Sequence, residues 1–139
     1  MRMTTLQEKA TEGKFANIKR GWFDINGQEM FFRSIWEANY ALYLDFLVKI
    51  GEIRAWKYEA RTFLFDKIIT GTRTYKPDFE VLTKNGSIEY HEVKGWMTPK
   101  SNTQLKRMKK YHPKVKVIVI DQKAYTDIKN KIGKMLKFY

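Results

Sequence analysis

One segment constrains the fold more than any other part of the chain: residues 34–51, SIWEANYALYLDFLVKIG. Ser34 followed three residues later by Glu37 is a capping-box pattern, and Gly51 is a natural stop, so the segment predicts a helix. Apolar residues with helical spacing define its core-facing side: Ala41, Leu44 and Val48. Glu37 lies at the N-terminal end of that side, an unusual position for a carboxylate.

Strand patterns precede and follow this helix. Two aromatic-rich runs on either side of Asn26-Gly27 predict a hairpin over about residues 20–32. After the helix come strand patterns in IRAWKYEA and RTFLF, then a loop, KIITGTRT, with Gly71 at its tip. YKPDFEVL and SIEYHEVKG predict two further strands joined through Asn85-Gly86.

The C-terminal third predicts a helix, a strand and a helix. A basic helix begins near Pro99 and ends by Pro113, KVKVIVID reads as a buried strand, and AYTDIKNKIGKMLKFY reads as a terminal helix. The apolar, core-facing stripe of that last helix is expected to contain Tyr125, Ile128, Ile132 and Met135. The order predicts an α/β or α+β fold, a single domain over residues 1–139 with a mixed sheet flanked by helices. Residues 1–13 are polar and are expected to be flexible.

Composition narrows the range of functions. The chain has 27 Lys and Arg against 15 Asp and Glu, a formal net charge of +12, interleaved with aromatic residues. This pattern favours nucleic acid as the partner. The absence of Cys excludes disulfides, thiolate metal sites and thiol nucleophiles. No long apolar run or signal-like start occurs, so the sequence predicts a cytoplasmic protein with no membrane partner.

Four residues are predicted to carry chemistry: Asp78, Glu92, Lys94 and Glu37. Hydrolysis of a phosphodiester needs an activated water and a cation that shields the charge developing on phosphorus and on the leaving oxygen. Mg²⁺ does both and is usually held by one or two carboxylates, with water and phosphate completing its shell. We expect Asp78 and Glu92 to bind Mg²⁺ with the carbonyl of Val93, and Mn²⁺ to substitute.

Lys94 and Glu37 complete the predicted site. Strand alternation puts Lys94 on the same face as Glu92, where its ammonium can orient water or stabilise the transition state. Glu37 is expected to bind a second cation or to hold a metal-bound water. The alternative is that Glu37 only caps its own helix through Ser34.

The register between the strands that carry Asp78 and Glu92 decides whether the two carboxylates can bind one metal ion. A two-residue loop at Asn85-Gly86 would pair Asp78 with Val93, on the wrong face for joint metal binding. A three-residue loop, 85–87, would set Asp78 opposite Lys94 and on the same face as Glu92. The site therefore predicts that longer loop or an equivalent bulge, and Pro77 supports an irregular strand there.

At these residues the chain resembles a known family. FRSIWEANYALYLDFL, YKPDF and EYHEVKGW together resemble the PD-(D/E)XK nuclease superfamily over about residues 33–120. The helix glutamate corresponds to Glu37, the Pro-Asp pair to Pro77 and Asp78, and Glu-x-Lys to Glu92 and Lys94. Within the superfamily, the chain looks most like phage and archaeal-type Holliday junction resolvases.

The resemblance implies a restriction-endonuclease-like core and a Mg²⁺-dependent DNA endonuclease that acts as a homodimer on four-way junctions, in a phage or prokaryotic host cell. It also implies 5′-phosphate and 3′-hydroxyl products. Many members place a glutamine near the site on the following helix, which corresponds to Gln104 here. A C₂ dimer suits a junction because two symmetric nicks are needed to resolve it.

Basic residues near the predicted site are candidates for phosphate contacts. We expect nucleic-acid binding by Arg33, Ser34, Lys100, Lys106, Arg107, Lys109 and Lys110. The hairpin aromatics exceed what one small hairpin is expected to bury, which predicts a dimer interface, with core packing as the alternative: Trp22, Phe23, Phe31 and Phe32.

Two other functions remain open. One is a different nuclease of the same superfamily, such as a transposition-type DNA-processing endonuclease. The other is a non-catalytic, basic nucleic-acid-binding module whose carboxylates are structural.

Overall fold

The computed structural model describes residues 19–139, so the expected flexibility of residues 1–13 lies outside the described part. The described chain divides into two compact units, residues 19–50 with 123–139 and residues 51–122. Its elements include helices and a mixed sheet, which confirms the predicted α+β class. The expectation of one domain over residues 1–139 stays a prediction. Within residues 19–139, every helix is too short or too polar to span a lipid bilayer.

The first unit begins with the hairpin that the sequence predicts. Strands β1 (Gly21–Ile25) and β2 (Gln28–Phe32) pair antiparallel, with Trp22 opposite Phe31. Asn26 and Gly27 both have positive φ, 51° and 98°, as a two-residue turn matched to strand twist requires.

Helix α1 (Ile35–Lys49) follows, with Ser34 as its N-cap. Ala41 and Leu44 are fully buried on the predicted core-facing side. The chain leaves the helix at Ile50, and Gly51 adopts a φ of 78°, so the predicted stop is confirmed.

The C-terminal segment packs against this helix and hairpin. Helix α3 (Gln122–Ile128) continues as a π-helical turn, Lys129–Gly133. Tyr125 stacks on Trp36 with ring centroids 4.2 Å apart. The predicted stripe is wrong at its end, because Met135 is 61% exposed while Leu136 is half-buried. A π-turn adds a residue to the helical repeat and so moves the apolar position along by one.

The second unit contains the mixed sheet. Its strands are β3 (Ile53–Tyr58), β6 (Phe79–Thr83), β7 (Ile88–Val93) and β8 (Lys116–Ile120), in the order β3-β6-β7-β8. Pairing is antiparallel except between β7 and β8, which are parallel and connected through helix α2 (Pro99–Tyr111). A parallel neighbour needs such a crossover connection.

A two-stranded ribbon, β4 (Phe63–Leu64) with β5 (Thr74–Tyr75), completes the unit. The core of this unit joins the ribbon, the sheet and α2 through one buried cluster: Phe63, Phe65, Tyr75, Tyr90 and Met108. The sequence predicted one strand through YKPDFEVL, but the structure has two pieces, β5 and β6. They are separated by residues 76–78, which include Pro77, and a proline cannot donate to a ladder.

Candidate active site

The pairing of β6 with β7 sets the geometry of the site. Phe79 pairs with His91 and Leu82 with Ile88, so the same register continued by one residue brings Asp78 opposite Glu92. The two carboxylates therefore lie on one face, as expected. The loop contains three residues, also as expected, but it is 84–86 rather than 85–87. The predicted pairing of Asp78 with Lys94 is wrong, because the register is offset by two residues.

A network of side chains explains this loop position. Thr83 and Ser87 close the hairpin, with the Thr83 N–H donating to the Ser87 carbonyl at 2.8 Å. The Thr83 and Ser87 hydroxyls lie 2.7 Å apart, and both bond the Asn85 side chain. Gly86 takes the left-handed conformation, φ 91°, that lets its N–H donate to the Thr83 carbonyl at 3.0 Å.

Glu92 is a buried carboxylate with a defined set of donors. Its Oε1 accepts the hydroxyl of Tyr75 at 3.0 Å and the backbone N–H of Asp78 at 3.2 Å. Its Oε2 lies 4.0 Å from the ammonium of Lys94. The carboxylate is thus oriented by two donors on one oxygen, while the other oxygen faces the lysine.

Asp78 is held in a reciprocal way. It is 8% exposed, and its Oδ2 accepts the backbone N–H of Val93 at 2.8 Å. Its carbonyl accepts the N–H of Glu59 at 2.8 Å. Just before β6, Asp78 therefore bonds β7 through its side chain and the residue that follows β3 through its carbonyl. These two bonds fix the carboxylate relative to Glu92.

Lys94 follows the end of β7 and extends its pairing, because its N–H donates to the Ile120 carbonyl at 3.0 Å. Its side chain is 34% exposed, and its ammonium is 4.0 Å from Glu92. The predicted placement of Lys94 beside Glu92 is confirmed. A partly exposed ammonium beside the buried Glu92 carboxylate can stabilise charge on a bound phosphate.

Tyr75 is a site residue that the sequence analysis missed. It is 2% exposed, and its hydroxyl donates to Glu92. Burial raises the pKa of Tyr75 far above its usual value, and the nearby negative charges of Glu92 and Asp78 raise it further. The hydroxyl therefore remains a proton donor to Glu92. The sequence does show a tyrosine two residues before Pro77. It does not show that this tyrosine bonds Glu92, because the two residues are 17 positions apart.

Helix α2 anchors the segment that carries Tyr75. Gln104 donates from Nε2 to the carbonyl of Thr74 at 3.1 Å, and Arg107 donates to the carbonyl of Thr72. Gln104 thus bonds Thr74, the residue next to Tyr75, and this hydrogen bond positions β5. Arg107, expected at phosphate, uses part of its guanidinium to hold this chain segment.

The remaining predicted phosphate contacts on α2 are exposed: Lys100, Lys106, Lys109 and Lys110. Lys110 also lies over the ring of Tyr111, with its ammonium 5.3 Å from the centroid. Exposed lysines on one helix can contact a polyanion and release its condensed counterions.

Glu37 belongs to the first unit, together with Arg33 and Ser34. The Glu37 N–H donates to Ser34 Oγ at 3.1 Å, and Glu37 Oε1 accepts the N–H of Arg33 at 3.2 Å. This resembles a capping box in which the glutamate bonds the residue before the N-cap. Glu37 is 9% exposed, and the capping role expected as the alternative is present. Its predicted role at a metal stays a prediction.

The hairpin aromatics divide between core and surface. Phe23 and Phe32 are fully buried, so the core-packing alternative is correct for them. Trp22 and Phe31 are 44% and 41% exposed and form a T-shaped pair with centroids 5.7 Å apart. The predicted dimer surface is thereby reduced to these two residues.

The donor set of the second unit suits Mg²⁺. Asp78 and Glu92 supply oxygen ligands beside the backbone of Val93, and one or two carboxylates are what this cation takes from proteins. Across residues 19–139, no cluster of three or more Asp, Glu or His side chains is arranged to hold a metal ion. A cation at Asp78 and Glu92 could take the Val93 carbonyl, water and substrate phosphate as further oxygen ligands.

Comparison with known proteins gives no relative for this chain: no family model, curated protein or solved structure matches it.

Proposed function

We propose that this protein is a metal-dependent DNA endonuclease that acts as a homodimer on branched DNA such as the four-way junction. One observation carries the proposal. Asp78 and Glu92 are two buried carboxylates on one face of the sheet, and the Lys94 ammonium lies 4.0 Å from Glu92. Two carboxylates and an ammonium on one face are the oxygen ligands and the positive charge that a Mg²⁺-dependent phosphodiester hydrolysis uses.

The proposed reaction is hydrolysis of a phosphodiester. A water oxygen bonds to phosphorus while the bond from phosphorus to the 3′ oxygen breaks, and a proton from that water ends on the leaving oxygen. The products are a 5′-phosphate and a 3′-hydroxyl. Mg²⁺ held by Asp78, Glu92 and the Val93 carbonyl would supply Lewis-acid stabilisation of charge on the phosphate.

The chain's own groups supply the rest. Lys94 contributes positive charge near the phosphate where negative charge develops. Tyr75 and the Asp78 N–H fix Glu92, so the carboxylate does not need to reorganise during the reaction. The Val93 N–H does the same for Asp78.

Charge and surface support DNA as the substrate. The net charge of +12 favours a polyanion, and the exposed lysines of α2 belong to the same unit as the carboxylates. The exposed Trp22–Phe31 pair supports association of two copies. Two identical sites related by two-fold symmetry match the two nicks that resolve a junction.

The test is cleavage of end-labelled four-way junction, linear duplex and single strand, with and without Mg²⁺. It uses wild type, Asp78→Ala and the control Asp127→Ala. Asp127 is a suitable control because it is exposed and has a lysine, Lys129, at the same spacing as Glu92 and Lys94. We expect symmetric nicks in the junction that need Mg²⁺, persist in Asp127→Ala and disappear in Asp78→Ala.

Other outcomes identify the other functions. Metal-dependent cutting of all three substrates would retain the endonuclease and reject the junction preference, leaving a DNA-processing nuclease of another type. Binding of DNA without cutting in Mg²⁺ or Mn²⁺ would reject the endonuclease and favour a non-catalytic module.

A further inference from the structure

We infer that Trp96 is a stacking residue for an unpaired nucleobase next to the candidate active site, so that removing its ring weakens binding of DNA with unpaired bases more than binding of continuous duplex. The inference deepens the proposed function and rests on it, because it takes DNA to be the substrate of the Asp78–Glu92 site.

The exposure of Trp96 is the first observation. Its side chain is 68% exposed, more than that of the other exposed tryptophan, Trp22, at 44%. A tryptophan side chain is large and mostly apolar, so leaving it in water forfeits a substantial burial free energy. The adjacent Met97 is 37% exposed as well.

The position of Trp96 is the second observation. It lies two residues beyond Lys94, on the short connection between β7 and α2. Two residues of chain span at most about 7 Å, so the backbone of Trp96 lies near that of Lys94. A DNA strand whose phosphate reaches Lys94 therefore brings its bases within reach of the indole.

The charge around Trp96 is the third observation. Lys94 precedes it and the exposed Lys100 follows it on the first turn of α2. An aromatic face flanked by ammonium groups is the arrangement by which proteins bind single strands, with the cations on phosphate and the ring on a base. An apolar protein partner would gain nothing from these lysines.

Stacking on Trp96 selects the structure of the DNA. In a continuous duplex both faces of each base are already stacked, whereas an unpaired base offers a free face. Base stacking on an aromatic side chain stabilises single-strand complexes of any sequence, because every base has a π-face. The expected consequence is a loss of single-strand affinity on removal of the ring with little change in duplex affinity.

The experiment measures binding by fluorescence anisotropy in EDTA, so that no strand is cut. The probes are a labelled oligothymidylate of about 15 nucleotides and a labelled duplex of equal length. Variants are Trp96→Ala, Trp96→Phe and, as control, Ile69→Ala. Ile69 is 82% exposed in the same unit but has no aromatic ring. Thermal unfolding checks that each variant is folded.

We expect Trp96→Ala to weaken binding of the single strand by about tenfold and that of the duplex by less than about twofold. Trp96→Phe should retain most of the affinity, and Ile69→Ala should bind both probes as wild type does. Unchanged single-strand affinity in Trp96→Ala, or equal losses on both probes, would overturn the inference.

The cleavage assay separates this result from the proposed function. If wild type cuts DNA while Trp96→Ala binds the single strand normally, the stacking inference fails and the endonuclease stands. If wild type cuts nothing but Trp96→Ala selectively loses single-strand affinity, the stacking inference stands and the endonuclease fails.

Discussion

The hydroxyl of Tyr75, at the end of β5, donates a 3.0 Å hydrogen bond to Oε1 of Glu92 on β7. The same oxygen accepts the N–H of Asp78, so one atom of Glu92 joins the two segments on either side of Pro77. Gln104 holds the carbonyl of Thr74 next to Tyr75. The candidate site is therefore supported by the ribbon and by α2 as well as by the sheet.

Replacing Tyr75 with Phe removes this donor while keeping the ring. Loss of a hydrogen bond to a buried carboxylate should lower the free energy of unfolding by about 1–3 kcal/mol. Because Glu92 is then less firmly oriented, we also expect cleavage to fall by roughly 10- to 100-fold. Urea unfolding and single-turnover cleavage measure the two effects.

Tyr90 provides a matched control for this variant. It is a buried tyrosine whose hydroxyl donates to Glu80 Oε2 at 2.8 Å, in the same sheet but with a different carboxylate. Because the Tyr90–Glu80 hydrogen bond is only partly buried, Tyr90→Phe should lower stability by no more than Tyr75→Phe does, and it should leave cleavage nearly unchanged. Equal loss of cleavage in both variants would show that Tyr75 acts only through stability.

Glu37→Gln distinguishes a metal ligand from a helix cap. A glutamine keeps an oxygen that can accept the Arg33 N–H, so the free energy of unfolding should change by less than about 0.5 kcal/mol. If Glu37 serves the metal, cleavage should fall by roughly 10- to 100-fold. Urea unfolding measures the change in the free energy of unfolding, and single-turnover cleavage measures the change in rate.

Ser34→Ala is the control for Glu37. It removes the side chain that accepts the Glu37 N–H at 3.1 Å and should lower the free energy of unfolding by about 1 kcal/mol. Cleavage at saturating DNA and well below the unfolding temperature should persist, so that any contribution of Ser34 to nucleic-acid binding affects only the affinity. Full activity in Glu37→Gln would reduce Glu37 to a capping residue.

The face shared by Asp78 and Glu92 was predictable because strand alternation allows only two outcomes, and joint metal binding requires one of them. The loop offset was not predictable from Asn85-Gly86 alone. Side chains outside that pair, Thr83 and Ser87, close the hairpin one residue earlier than expected. Local turn chemistry therefore decided the register.

Tyr75 shows why contacts within the site were harder to predict than the carboxylates. The break at Pro77 interrupts strand alternation, so the face on which Tyr75 lies could not be read from the residues that follow it. The shifted stripe of the last helix has a similar cause, because one π-turn changes the period after Ile128.

The lowered pKa of the buried His91 predicts that the protein loses stability in mild acid. Burial lowers the pKa of His91, although its hydrogen bond to Glu89 raises it in part and nearby Lys116 lowers it. A folded-state pKa below the unfolded value of about 6.5 means that the unfolded chain binds more protons, so stability falls as the pH drops below about 6.5. In His91→Gln the free energy of unfolding should fall less between about pH 7.5 and 5.5.

Urea unfolding at each pH measures this effect, and His112→Gln tests whether it belongs to His91. His112 lies on the same unit, and its Nε2 bonds the carbonyl of Leu64 at 2.7 Å. The slope against pH should flatten in His91→Gln, and a flattening of equal size in His112→Gln would show that the effect is not specific to His91. An unchanged slope in His91→Gln would show that His91 is not the origin of the acid sensitivity.

Trp22 and Phe31 are expected to hold two copies together. They form a cross-strand pair with nearly half of each side chain in water, whereas the alternate residues Phe23 and Phe32 are buried. Aromatic anchors at the centre of an interface often contribute at least about 2 kcal/mol each. In a two-fold interface each substitution acts on both sides, so Trp22→Ala with Phe31→Ala should convert a dimer to monomer at micromolar concentrations.

Sedimentation equilibrium measures the change, with Ile88→Ala as the control. Ile88 is 45% exposed, as Trp22 is 44% exposed, but it lies on β7 in the other unit. The double variant should remain folded, because an exposed cross-strand pair contributes only about 0.2–1 kcal/mol to the hairpin. Junction cleavage should then lose its paired, symmetric nicks while single nicks persist. A wild-type protein that sediments as a monomer at these concentrations would leave the exposed pair without its proposed role.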